Sequence, residues 1–189
     1  MNKILFLTAY SDYAATVFTY ARNIAQLSGA RLTLAHVFPD PLNLPVLGNK
    51  REDAEAKGKK IEEELARLKE FARVNSAENF EESDYDYLAL QGDPVLETLD
   101  MEQAHNFDLL IIGRTTKPGF KDMLFGSVAQ NLIERSVTNL LLVSPMQDYK
   151  AVQKLVYAFD IDQQAFEFMK WLMEFSDKLG RVGQELWGL

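Results

Sequence analysis

The sequence predicts an α/β protein: three layers, α/β/α, around a five-stranded, mainly parallel sheet. Two observations carry this. Short apolar runs alternate with amphipathic helical stretches along most of the chain, an order that places strands side by side with helices on both faces. Glycine and proline signals punctuate the boundaries at Gly29, at Gly92-Asp93-Pro94 and at Pro145.

Each element has its own reason. Lys3–Thr8 is an apolar run closed by the polar turn Tyr10-Ser11-Asp12 and reads as a buried strand. Ala14, Val17, Phe18, Ala21, Ile24 and Ala25 recur at helical spacing from Tyr13 to Leu27, with Ser11 and Asp12 as N-terminal caps and Gly29 as the C-cap. Arg31–Phe38 is the second strand. Pro39–Asn49 holds three prolines and a glycine and is a long loop. Arg51–Val74 is a charged helix with an apolar stripe of Ile61, Leu65, Leu68 and Phe71; its charges read as a solvated face. Asn75–Asp86 is expected to be irregular. Tyr87–Leu90 is a short strand, and Asp93 caps a helix over Val95–His105 with Pro94 in its first turn. Asp108–Gly113 is a strand, Arg114–Phe125 a loop, Gly126–Ser136 a helix and Asn139–Val143 a strand. Sheets of this kind take ligands at the carboxyl ends of their strands, near the reversal of strand order. The loops after Thr8, Val37 and Gly113 are therefore the places to look.

Composition narrows the function. The 189 residues are 47% hydrophobic and 25% charged, with a net charge of −8. That acidity repels nucleic-acid backbones, so no nucleic-acid partner is expected, while a local ring of N–H groups can still hold a nucleotide. With no cysteine, disulfides, thiol catalysis and Cys-based zinc sites are excluded; with only His36 and His105, a histidine-rich metal site is not expected. Ile4–Leu7 is too short for a signal peptide, and no stretch approaches the roughly 18 apolar residues of a membrane span. The expected location is the cytoplasm, with no membrane partner.

A repeat begins late in the chain. Lys154-Leu-Val-Tyr-Ala-Phe-Asp160 resembles Lys3-Ile-Leu-Phe-Leu-Thr-Ala9 at an offset of 151 residues, and the register continues through Tyr20/Trp171, Ile24/Phe175 and Gly29/Gly180. This divides the chain into a domain over 1–146 and, over 147–189, an incomplete second copy (a strand plus a helix) or a C-terminal arm. Such a piece cannot form a core of its own. It packs on the first domain, joins another chain, or belongs to a truncated product.

The most informative stretch runs from Ile112-Gly113 to Gly126-Ser127-Val128. A strand ends in a glycine, which lets a ligand approach the backbone closely. A polar loop follows, and Gly126-Ser127 opens a helix whose unpaired N–H groups favour an anion. The competing reading is a tight turn at Gly113 and a plain cap neighbour at Ser127.

Gly113, two residues, Thr116, nine residues, then Gly126-Ser127 resembles the G-x2-G-x9-G-[ST] motif of the universal stress protein family. The run-in Asp108-Leu-Leu-Ile-Ile-Gly113 and the run-out Asn131–Val143 resemble that family too, as do Lys3-Ile-Leu and Ala35-His36-Val37; the likeness covers residues 1–146. It implies a Rossmann-like fold, homodimers often made through the last strand, and regulatory or scaffold action in a stress response more than turnover. It also implies a site for ATP, with magnesium accompanying it: Gly113, Gly126, Ser127 and Val128 at the phosphates, Val37 at adenine through its backbone, and Thr8 and Ala9 after the first strand. Two positions depart from the ATP-binding pattern. Thr116 replaces the second glycine and would crowd the phosphates, and Ala9 stands where those members carry an acidic residue. Asp160 restores the acid in the second copy, which lacks its own glycine motif. The leading expectation is thus a regulatory protein with a degenerate nucleotide site. The alternatives are an ATP-binding, slowly hydrolysing member and a ligand-free dimerisation module.

The remaining polar residues carry no catalytic set. His36 reads as structural. His105 suits a helix C-terminus. Asp100 and Glu102 have no evident partner, and Lys117 and Lys121 read as solvated loop residues.

Overall fold

A computed structural model of the chain describes residues 1–39, 54–76, 80–114, 126–144, 149–159, 163–180 and 183–188. Its elements are β1 (Lys3–Leu7), α1 (Ala14–Ser28), β2 (Arg31–Phe38), α2 (Ala54–Asn75), β3 (Tyr85–Gln91), α3 (Pro94–His105), β4 (Leu109–Gly113), α4 (Ser127–Arg135), β5 (Asn139–Val143), β6 (Lys154–Phe159), α5 (Gln163–Lys178) and β7 (Gly183–Gly188).

The first five strands form one parallel sheet in the order β3-β2-β1-β4-β5. Side chains of a strand alternate between faces, so each central strand feeds two cores. Ile4 and Phe6 of β1 join Phe18 of α1 and Leu68 of α2 on one face. Leu5 joins Val95 and Met101 of α3 and Leu132 of α4 on the other. The expected three layers and parallel sheet are present, and the six buried residues of α1 are those that the helical spacing selects.

Local differences have physical causes. Tyr13 precedes α1 and makes no side-chain cap bond, so Ser11 and Asp12 are not caps; Ser11 contributes its carbonyl, which accepts from Ala14 N at 2.9 Å. Gly29 closes α1 at φ 69°, left-handed backbone that glycine enters without penalty. Asp93 caps α3 through Val95 N and Leu96 N. The stretch expected to be irregular before β3 holds a 3-10 turn, Glu82–Asp84, and the strand starts at Tyr85. Pairing with β2 extends it: Arg31 grips Asp86 through two nitrogens at 2.8 and 3.1 Å. Glu102, which the sequence left without a partner, is buried and accepts from Ser136 Oγ at 2.6 Å and Val137 N at 3.3 Å. The long loop after Pro39, Thr116, Lys117, Lys121 and Asp160 lie outside the described residues.

Asp108 anchors the N-terminus, accepting from Asn2 N at 2.6 Å and Lys3 N at 3.0 Å. Partial burial opposes its ionisation, but those N–H groups outweigh it and hold the carboxyl below its ordinary value of 3.8. A carboxylate depressed on folding stabilises at every pH above its unfolded value and loses that contribution as pH falls through the folded one. Asp108→Asn is therefore expected to lower the thermal midpoint at pH 7, and the gap from wild type should close as pH drops below about 4. Melting both proteins at intervals from pH 7 to pH 3 checks this.

The C-terminal segment is a β–α–β unit. β6 and β7 are parallel, with α5 as their crossover. The segment holds one strand more than the strand plus helix expected over 147–189, namely β7. α5 docks on the first domain. Phe175 is buried in the same core as Phe6 and Ile24, with Trp171 stacked on it at 5.1 Å. Lys178 Nζ donates to Met1 O at 3.1 Å, and Tyr149 meets Tyr20 edge-on at 4.9 Å.

Candidate functional site

The strand order reverses between β1 and β4. β1 leads through α1 to β2 on one side, and β4 leads through α4 to β5 on the other. Their carboxyl ends flank the crevice where such sheets take ligands. Because β4 and β5 are parallel, α4 returns along the sheet, so its N-terminus lies at the same edge.

From β4 the edge presents Gly113. A Cβ built there would stand 3.0 Å from Val17 Cγ2, so the strand end and α1 approach closely because residue 113 has no side chain. Arg114 N continues the ladder by donating to Val143 O at 2.9 Å. From α4 comes Gly126 as N-cap, with extended backbone and no side chain to occupy the first N–H groups. The first turn of α4 carries no acidic residue, and Ser127 is exposed there. An open N-terminus of this kind attracts an anion through N–H groups and dipole together. Val128 packs on the α3–α4 core. From β2 comes Val37, buried in that core. From β1 come Thr8, buried, and Ala9, exposed and without any polar side-chain atom.

The fold thus brings Gly113, Gly126, Ser127, Val128, Val37, Thr8 and Ala9 to one edge of the sheet. Ala9 leaves the β1 side of the crevice without a carboxylate. Among the described residues no group of three or more His, Cys, Asp or Glu could hold a metal ion.

A polar cluster on the α2 side of this edge escaped the sequence reading. His36 Nδ1 donates to Thr8 O at 2.8 Å and so ties β2 to the end of β1. The His36 ring lies 4.5 Å from that of Tyr10, which also carries the Arg67 guanidinium at 4.1 Å from its centroid and packs edge-on to Phe71. His36 Nε2 is 3.8 Å from Glu64 Oε2. Glu64, read as part of a solvated face, is half-buried beside the strand end instead, while Arg67 stays solvent-exposed as expected and lies over the Tyr10 ring. Tyr10 has φ +51°, left-handed backbone that costs a non-glycine residue roughly 1–2 kcal/mol. Burial, then the nearby Glu64, push its phenol well above the ordinary tyrosine range against the opposing pull of Arg67, so it stays protonated. The only sequence signal for this cluster was a tyrosine placed directly after a strand end, which has many meanings.

Comparisons with known proteins agree with this architecture. The model of the universal stress protein family matches residues 1–144. None of the curated proteins matches the chain in sequence. Among solved structures, the chain is similar to a universal stress protein, UspA, from Lactobacillus plantarum, with 22% identity, a TM-score of 0.53, and coverage of 75% of this chain and 97% of that one. It is similar to a universal stress protein solved in complex with cAMP, with 24% identity, a TM-score of 0.52, and coverage of 76% and 97%. A universal stress protein from Archaeoglobus fulgidus DSM 4304 covers 99% of this chain at 18% identity with a TM-score of 0.65, and the match takes in 66% of that longer chain. At these identities the likeness is one of fold.

Proposed function

The chain belongs to the universal stress protein family, and from that premise we propose that it is a stress-response regulatory or scaffold protein whose crevice between β1 and β4 takes a nucleotide weakly. The observation that carries this reading is the open N-terminus of α4, capped by Gly126 and free of acidic side chains, at the same sheet edge as Gly113. Phosphates would lie against the N–H groups and Ser127, and the base would approach the end of β2 near Val37. That one similar structure holds cAMP supports a nucleotide as the ligand class; the choice of ATP rests on the motif spacing. The described residues offer no carboxylate cluster for magnesium, so a magnesium ion would arrive on the nucleotide's own phosphates. The residues gathered here stabilise and orient; no nucleophile–base pair stands among them, which favours sensing over hydrolysis.

The weakness of the site is assigned to Ala9 and to Thr116. Ala9→Asp is expected to tighten nucleotide binding about tenfold, the worth of one added charged hydrogen bond. Isothermal titration of wild type and variant with Mg-ATP, ADP and AMP tests this. Weak binding that tightens in the variant supports the reading. Silence from both proteins up to millimolar nucleotide overturns it and leaves the family's scaffold role.

The homodimer is proposed through β5. That strand is an edge of the sheet, paired on one side with β4, and Asn139–Leu142 are half-buried. An apolar edge of this kind is normally covered.

A further inference from the structure

His36 and Glu64 face one another at the carboxyl edge of the sheet with one hydrogen too few between them. The Thr8 carbonyl can only accept, so His36 Nδ1, 2.8 Å away, carries the single ring hydrogen of the neutral imidazole. Nε2 is then left with a lone pair. It stands 3.8 Å from Glu64 Oε2, which is an acceptor as well. That separation is too long for a hydrogen bond. Glu64 Oε2 is nevertheless buried and has no hydrogen-bond partner, a costly state for a carboxylate oxygen.

The other groups around the ring do not supply the hydrogen. From the end of β1, the Tyr10 hydroxyl is itself buried without a partner, so it does not bond Glu64. From α2, Arg67 stands 3.6 Å from the other carboxylate oxygen, Oε1, and Lys60 lies one turn before Glu64. These two cations oppose a positive charge on the ring, but Arg67 is largely exposed and water screens it. β3 sets Ala89 beside His36 in the register, and β2 itself contributes Phe38; neither is charged.

We propose that this pair is a proton-operated clasp: protonation of His36 places a hydrogen on Nε2, Glu64 accepts it, and the middle of α2 is fastened to the ends of β1 and β2 in mild acid. The bond from Nδ1 to Thr8 is kept in both states, so the ring need not turn. Protonation closes the contact toward about 2.8 Å, the length of a charge-assisted hydrogen bond. Imidazole ordinarily changes charge between about pH 5 and 8. A histidine that gains a partner only when charged adds stability at low pH and loses it as pH rises through its titration. The clasp therefore tightens on acidification, and it does so whether or not the crevice takes a nucleotide.

Two measurements on the full chain test this. In nitrogen spectra of the histidine rings, His36 should carry its hydrogen on Nδ1 alone at pH 8 and on both nitrogens at pH 5.5. In hydrogen exchange, corrected for the intrinsic rate at each pH, amides of α2 around Glu64 should gain about tenfold protection from pH 8 to pH 5.5, the scale of one charge-assisted hydrogen bond. In Glu64→Gln the side-chain amide can donate to the neutral ring, so protection should no longer vary with pH. It should not vary in His36→Gln, which has no proton to gain. His105 is present in all three proteins, so differences among them belong to His36. The proposal is overturned if the hydrogen sits on Nε2 at pH 8, if wild-type protection stays constant, or if Glu64→Gln gains as much as wild type. The wild-type spectra and exchange decide the matter even if a variant fails to fold.

Discussion

Phe175→Ala is expected to release the C-terminal unit while leaving the five-stranded domain folded. Phe175 is buried in the core that holds Phe6, Phe18 and Ile24, and Trp171 stacks on it. Removing a buried phenylalanine ring costs about 3–5 kcal/mol through lost transfer free energy and the cavity left behind. Phe175 is the one buried hydrophobic residue of α5 among the described residues. Two parallel strands and one helix lie below the size at which a sheet stands alone, and the other anchors among the described residues are the partly buried Trp171, Leu172 and Leu179 on the same core, the Tyr20–Tyr149 contact and two exposed hydrogen bonds. Hydrogen exchange separates the two units. Amides of α5 should lose protection by about a hundredfold or more, the equivalent of 3 kcal/mol, while those of β1 and β4 keep theirs. Equal loss in both would mean that the unit and the domain unfold as one body.

The second large effect is expected at Glu102. Its carboxylate is buried on α3 and accepts from Ser136 Oγ at 2.6 Å and Val137 N at 3.3 Å, at the turn between α4 and β5. Glu102→Ala removes both acceptors and leaves a void. Ser136 Oγ can redirect its hydrogen to Thr138 O, 3.0 Å away, and the loss falls mainly on the cavity left by the buried side chain. The expected loss is about 3 kcal/mol, or a fall in thermal midpoint of about 6–12 °C for a chain of this size. Glu102→Gln keeps the shape and one acceptor and should cost less than half as much. A midpoint within 2 °C of wild type for the alanine variant, on the same scale, would show that the turn repairs itself.

Most of the fold was legible because strands buried on both faces have little freedom in composition. Leu109–Ile112 can scarcely be anything else, and α1 shows all six of its buried positions at helical spacing. What escaped depended on partners distant in sequence. β3 begins early because Arg31, on another strand, holds Asp86. Glu102 looked idle because its partners lie 34 and 35 residues away. The site divides in the same way. Gly113, Gly126 and Ser127 were readable because glycine placement reports backbone needs directly. Tyr10, Glu64 and Arg67 were not, since the charges of α2 satisfy an amphipathic pattern equally well whether they face water or a strand end. Ser11 and Asp12 had the right chemistry for caps, but the backbone enters α1 at Tyr13.

The docking of α5 also decides what light reports about this protein. Its two tryptophans, Trp171 and Trp187, both belong to the C-terminal unit. The surface that receives this unit, α1, precedes it in the chain and shares its core with Phe175. The Trp171 indole, stacked on Phe175, therefore reports the docking of this unit, whereas far-ultraviolet dichroism is dominated by the sheet and its four helices. A fluorescence trace slower than the dichroism trace would record successive assembly of the two parts, with no need for an off-pathway trap to explain the lag.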